Sequence, residues 1–196
     1  LVPSFEFAHR SYDEMLHPAH ERPSIVVMGV SGAGKTTTGI LIADVLGVEF
    51  VDADSLHPQA NRLKMAGGEP LTDEDRWPWL DEVGRAMALS ANVGIVMACS
   101  ALKRSYRDAI VRLAPSVQFV HLHAPTQLLA ARVEQRAGHF MPSRLLASQL
   151  DALEVLASEE CGVEVSVDGP IGDVVARAIA ALESLAPHRR GPVGAR

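Results

Sequence analysis

Residues 29–36 have the types and spacing of a phosphate cradle. Gly29-Val30-Ser31-Gly32-Ala33-Gly34-Lys35-Thr36 fits G-x-x-x-x-G-K-[ST] at every fixed position. A backbone that wraps a phosphate must turn its N–H groups inward, through dihedrals that glycine accepts. Lys35 then brings a point charge to the β- and γ-oxygens of ATP, the Thr36 hydroxyl can ligate Mg²⁺, and Thr37 stands beside them on the nucleotide side. A chance glycine-rich turn could match the pattern, but here an apolar run precedes it and a helical pattern follows, which is the context the motif requires. The motif alone does not separate kinase, GTPase and motor. No N-K-x-D segment is present to read guanine, and a chain of 196 residues with long insertions between strands suits a small-molecule kinase.

A phosphoryl acceptor needs its own groups. Val51-Asp52-Ala53-Asp54 ends a short apolar run, so its two carboxylates at i and i+2 leave a strand on one side, towards Lys35. Asp52 is assigned to the water shell of the metal, and Asp54 to the attacking hydroxyl and its proton. The competing reading is that both acids cap the next helix. Further on, Asp73–Asp75 can be helix-start acids and Trp79 a core anchor. Arg76, followed closely by the only two tryptophans, is harder to place in solvent and is suited to gripping a carboxylate. Ser100 and Lys103 follow the third strand. Lys103, Arg104 and Arg107 could form an exposed helix start, but cations are mildly unfavourable there, which points Lys103 to an anion.

Arg132 and Arg136 share one helix face at i and i+4, where like charges repel unless an anion lies beside them. Gly138–Pro142 breaks that helix, and an arginine-bearing lid over about 136–146 would exclude water and neutralise transition-state charge. A solvated helix face is the alternative. A lone histidine such as His139 is more often structural than catalytic.

These residues need a frame. Strands are expected at Ile25–Val30, Val48–Val51, Gly94–Cys99, Val117–Leu122 and Val163–Val167. Helices are expected at Lys35–Leu46, Trp79–Ser90, Ser105–Leu113, Thr126–Ala137, Arg144–Ala157 and Ile171–Leu185. Alternation of the two predicts one α/β domain over 24–186, a parallel sheet with helices on both faces and ligands at the strands' carboxyl ends. Residues 1–23 read as an N-terminal extension and 187–196 as a disordered tail. The net charge of −6 argues against nucleic-acid binding, and no apolar stretch is long enough to span a bilayer. Cys99 and Cys161 form no C-x-x-C pair and read as small buried hydrophobes of a reduced, cytoplasmic protein.

The chain resembles the gluconokinase family of small P-loop kinases, relatives of shikimate kinase and the nucleoside monophosphate kinases. The resemblance rests on MGVSGAGKTT at 28–37, DADSLHP at 52–58, NRLKMAGGEPLTDEDRWPWL at 61–80, ACSALKRSYRD at 98–108 and RAGHFMPSRLLASQLDALE at 136–154. It covers about residues 25–185. Departures are Ala53 for the usual glycine, Ala33 and Thr36 where serine is frequent, and Arg62 where isoleucine is usual. The resemblance implies a three-layer P-loop NTPase fold with a five-stranded parallel sheet, and ATP:D-gluconate 6-phosphotransferase activity with Mg²⁺, commonly as a homodimer. It places Arg132 near the adenine, Arg136 near the phosphates, and Asp54, His57, Arg76, Ser100, Lys103 and His139 on the gluconate side. The alternatives are a kinase for another small acid, such as shikimate, and a non-catalytic ATP sensor. A third strand ending in Cys99-Ser100-Ala101, not a glycine run, disfavours the first. Intact Lys35, Thr36, Asp52, Asp54 and Arg136 count against the second.

Overall fold

The computed structural model describes residues 22–135 and 143–185, without the side chains of 143–145. Five strands form one sheet: β1 (Ser24–Met28), β2 (Glu49–Asp52), β3 (Ile95–Ala98), β4 (Gln118–His123) and β5 (Gly162–Ser166). Their order is β2-β3-β1-β4-β5, and every pairing is parallel. β1 is central and its residues Ile25–Met28 are wholly buried, as an unbroken apolar run in a two-sided parallel sheet requires.

Between and after the strands lie α1 (Lys35–Leu46), α2 (Gln59–Ala66), α3 (Asp73–Leu89), α4 (Arg104–Leu113), α5 (Thr126–Glu134), α6 (Ser143–Ala152) and α7 (Ile171–Ser184). Alternate residues of β1 face two different cores. Ile25 and Val27 pack with α1 and α7 residues such as Ile42 and Val174. Val26 and Met28 pack with α3 and α4 residues such as Trp79, Leu80 and Ile110. The fold is therefore the expected three-layer P-loop architecture. The strand order reverses at β1, between β3 and β4, and the loop after β1 opens into that switch point.

Several boundaries differ from the sequence reading. α3 starts six residues earlier than expected, at Asp73. Thr72 and Asp75 form a reciprocal capping box that nucleates the helix ahead of Pro78. Pro78 lies inside it, at the cost of one N–H bond to the preceding turn. α2 was not anticipated. It follows Pro58, which takes the N-cap position, and ends at Gly67. α6 stops at Ala152, five residues short of the expected end, and the following stretch is held by the Glu154 N–H on the Leu102 carbonyl and by the Arg107 side chain on the carbonyls of Glu154 and Val155.

Candidate active site

The phosphate loop begins where β1 ends. Gly29 has φ 135°, and a Cβ there would stand 2.6 Å from the Leu122 carbonyl oxygen. Gly32 has φ 82°, with the Leu129 oxygen 2.9 Å from such a Cβ. Glycine is required at both, for conformation and for space. Gly34 is the N-cap of α1, so Lys35 and Thr36 are its first residues and the loop's N–H groups lie at a helix N-terminus. Lys35 Nζ donates to the Val30 carbonyl oxygen at 3.1 Å, which curls the lysine over its own loop. Ser31 N–H donates to Gln149 Oε1 of α6 at 2.7 Å, so a side-chain oxygen already meets one of the loop's N–H donors. Sequence reasoning did not mark Gln149.

Of the two acids, Asp52 meets this loop directly. Asp52, the last residue of β2, accepts from the Thr36 hydroxyl at 3.2 Å through Oδ2. Its Oδ1 accepts from the Asp54 N–H at 3.1 Å and caps a 3₁₀ turn over Ala53–Leu56. The capping and the metal-side readings of Asp52 are thus compatible. Asp54 stands in that turn with its side chain 85% exposed. Partial desolvation in the cleft raises its pKa, Asp52 adds to the rise, and Lys35 opposes it. Ala53 between them is fully buried and its carbonyl accepts from the Trp79 indole N–H at 2.8 Å. That bond makes Trp79 the core anchor expected of it, and also fixes the acid-bearing turn.

His57 is buried and stacks on Trp79, ring centroids 4.2 Å apart at 15°. Burial, then Arg76 and Arg62, hold its pKa down at about 4, so it is neutral near pH 7. Its Nε2 lies 3.9 Å from Asp54 Oδ1. Arg62, the departure from the family pattern, donates to the carbonyls of His57 (2.9 Å) and Ser55 and braces the same turn.

A second cluster ties α3 to α4. Asp73 accepts from Lys103 Nζ (2.7 and 3.0 Å) and from the Tyr106 hydroxyl (2.6 Å). Those hydrogen bonds hold its pKa below the usual carboxylate value. Arg76 lies 3.7 Å from Asp73 and 3.5 Å from the Tyr106 hydroxyl. Arg76 and Lys103 therefore do converge, although Asp73 already pairs with Lys103. Tyr106 was not anticipated; it lies in the first turn of α4, three residues after the N-cap Lys103, and both reach Asp73. The Ser100 carbonyl accepts from the Gly29 N–H at 3.3 Å, which joins the loop after β3 to the phosphate loop. Arg107 corrects the expectation of an exposed helix start. It is fully buried and binds Glu160 and four main-chain carbonyls.

On the nucleotide side, Arg132 donates to the Val167 carbonyl at 3.2 Å. It borders a hollow of about 220 Å³ between the phosphate loop and Val167, Ile171 and Val174. A larger hollow of about 420 Å³, beside Trp77 and Arg112, is lined by no residue of the phosphate loop or the acid-bearing turn. Arg136 and His139 lie outside the described residues. Cys99 is buried and its thiol is pushed up to about 12 by that burial, which excludes it as a nucleophile. Among the described residues no group of three or more His, Cys, Asp or Glu is placed to hold a metal. One hydroxyl and one carboxylate, Thr36 and Asp52, fit Mg²⁺ that is carried mainly by phosphate and water oxygens. No described helix is long and apolar enough to cross a membrane.

A parallel sheet with a phosphate loop at its switch point, and an acid pair at the end of β2, on the far side of β3 from β1, defines a P-loop kinase that binds a nucleotide. The family model described as an AAA domain matches residues 25–156. A gluconokinase of Gluconobacter oxydans is 48% identical over 144 residues, covering 72% of this chain and 81% of that protein. The crystal structure of a gluconokinase from Sinorhizobium meliloti superimposes with a TM-score of 0.77 at 48% identity, covering 84% of this chain and 94% of that one. A shikimate kinase from Acinetobacter baumannii, at 18% identity and TM-score 0.51 over 82% and 91% of the two chains, shares the fold alone. The chain belongs to the gluconokinase family.

Proposed function

We propose that this protein transfers the γ-phosphoryl group of ATP to the terminal hydroxyl of D-gluconate, giving 6-phospho-D-gluconate and ADP. The observation that carries this reading is the meeting of two strand ends. Asp52 reaches Thr36 of the phosphate loop, and Asp54 stands within the electrostatic reach of Lys35. The family supplies the acceptor's identity.

The nucleotide's phosphates lie along Gly29–Thr37, with the adenine in the hollow beside Arg132, Ile171 and Val174. Gluconate lies across the turn that carries Asp54 and His57, near Ser100. Arg76 takes its carboxylate, flanked by Lys103, whose charge is shared with Asp73. The acceptor oxygen forms a bond to the γ-phosphorus as the bond to the β–γ bridging oxygen breaks, and Asp54 accepts the hydroxyl proton. Its raised pKa suits that task, since a base works best when its conjugate acid is not too strong. Lys35 and Arg136 offset charge on the transferring group. Thr36 and, through water, Asp52 would hold Mg²⁺, which when bound neutralises charge on the β- and γ-oxygens. His139 is assigned to gluconate by the family resemblance. Action as a homodimer in the cytoplasm is part of the same reading, and light scattering checks the assembly.

The test is a coupled ADP-release assay over a panel of sugar acids and shikimate. Release should depend on gluconate and be fastest with it. Equal release without an acceptor, or a clear preference for another acid, would reject the assignment.

A further inference from the structure

Asn61 lies in α2 and is 4% exposed; its Nδ2 stands 2.7 Å from the main-chain oxygen of Asp75. A carbonyl oxygen can only accept, so the atom facing it is the amide nitrogen. The second hydrogen of that NH₂ group is directed at His57 Nδ1, 3.3 Å away. A donor facing Nδ1 needs a lone pair there, and in a neutral imidazole the proton then sits on Nε2. The ring cannot turn freely, because it is stacked on Trp79, itself bonded to Ala53 between the two acids. Nε2 faces the Asp54 carboxylate, 3.9 Å from Oδ1.

We propose that Asn61 is a positioning residue that locks His57 as its Nε2–H tautomer, making His57 a fixed hydrogen-bond donor beside Asp54 and removing it as a base. The lone pair of the ring is turned into the protein and engaged by Asn61. The N–H is turned towards the oxygens at Asp54, where the acceptor hydroxyl binds on the function proposed above. Two candidate bases within 4 Å are thereby given separate tasks. The imidazole donates and holds; the carboxylate takes the proton. The depressed pKa of His57 agrees with a neutral ring but is not needed for the tautomer, which follows from the direction of Asn61.

Ring-¹⁵N NMR of the uniformly ¹³C,¹⁵N-labelled full chain at pH 7.5 reads the tautomer directly, with the ring signals of His57 assigned through their bonds to its sequentially assigned backbone. The Nε2–H pattern is expected in the wild type and a mixed pattern in Asn61→Leu. Kinetics supply the second arm. His57→Phe keeps a ring over Trp79 but has no donor; His57→Gln loses the ring but can place an N–H near the position of Nε2. Loss of one hydrogen bond in the transition state should slow kcat of His57→Phe about tenfold, whereas His57→Gln stays within about threefold, with KM for ATP unchanged in both. An Nδ1–H pattern in the wild type would overturn the proposal, even if no variant folds. So would His57→Phe with wild-type kcat, or His57→Gln as slow as His57→Phe. A wild type that turns over no gluconate yet keeps the Nε2–H pattern would refute the proposed activity and leave the lock standing.

Discussion

Replacing Arg107 with methionine should cost this protein about 3–5 kcal/mol of stability, because it strands a buried carboxylate. Arg107 and Glu160 have side chains 0% and 7% exposed. The guanidinium binds both carboxylate oxygens, one of them at 2.9 Å. It also donates to the carbonyls of Ala101 and Leu102 (3.2 Å each), Glu154 (3.0 Å) and Val155 (3.3 Å). Methionine fills much of the volume but satisfies none of these acceptors. A loss of that size is a large part of the roughly 5–15 kcal/mol that holds a domain together. Charge, not volume, is the stated cause, so Arg107→Met/Glu160→Met should lose less than Arg107→Met alone. Urea unfolding followed by circular dichroism measures both. A single variant within about 1 kcal/mol of the wild type, or a double variant with additive losses, would refute the reasoning. A functional consequence is attached. Ala101 has φ 42°, a costly conformation for a residue with a side chain, and its carbonyl is one that Arg107 holds. Milder variants that fold should therefore raise KM for gluconate more than KM for ATP.

Other outcomes can be stated briefly. Lys35→Met should lower kcat about 10²–10³-fold in the ADP-release assay while the thermal midpoint stays near that of the wild type. Asp54→Asn should lower kcat about 10²–10⁴-fold with little change in KM for ATP; near-normal kcat would reject it as the base. Acid should weaken the fold through His57, whose folded pKa of about 4 lies below the ordinary 6.5. Protons then favour the unfolded chain, so this stability is complete above pH 6.5 and is lost as pH falls towards 4. The whole loss has an upper bound of about 3 kcal/mol, of which about 2 kcal/mol falls between pH 7.5 and 5, and comparing unfolding of the wild type and His57→Phe at those two values isolates that part. A difference that does not change with pH would contradict the assigned shift.

The frame and the phosphate loop were legible because each rests on a short, local signal. The apolar run Ile25–Met28 can satisfy its backbone only inside a two-sided sheet, and Gly29 and Gly32 occupy positions where any side chain would collide. Asp52 was legible for a similar reason, as the end of β2 brings it to the Thr36 hydroxyl, whereas Asp54 lies beyond the strand in a 3₁₀ turn and not on the strand face expected for it. What escaped the sequence depends on distant partners. Arg107 looked like a surface charge because its acceptors come from residues 101–102 and 154–160, which nothing local announces. Asn61 acquires its meaning only when Asp75 and His57 close around it, and Gln149 only when α6 reaches the phosphate loop. The expected range of α3 began six residues late, at Trp79, although the reading of Asp73–Asp75 as helix-start acids holds, secured by the Thr72–Asp75 capping box.

The most direct measurement follows the phosphoryl group itself. ATP labelled at the γ-phosphate and ¹³C-labelled gluconate are incubated with the protein and Mg²⁺, and the product is read by ¹³C and ³¹P NMR. One equivalent of phosphate should appear on the oxygen at C6 for each ADP formed, with no transfer by Asp54→Asn on the same timescale. Label found as free phosphate, at another carbon, or transferred as well by Asp54→Asn would contradict the meeting of cradle and acid on which the mechanism depends.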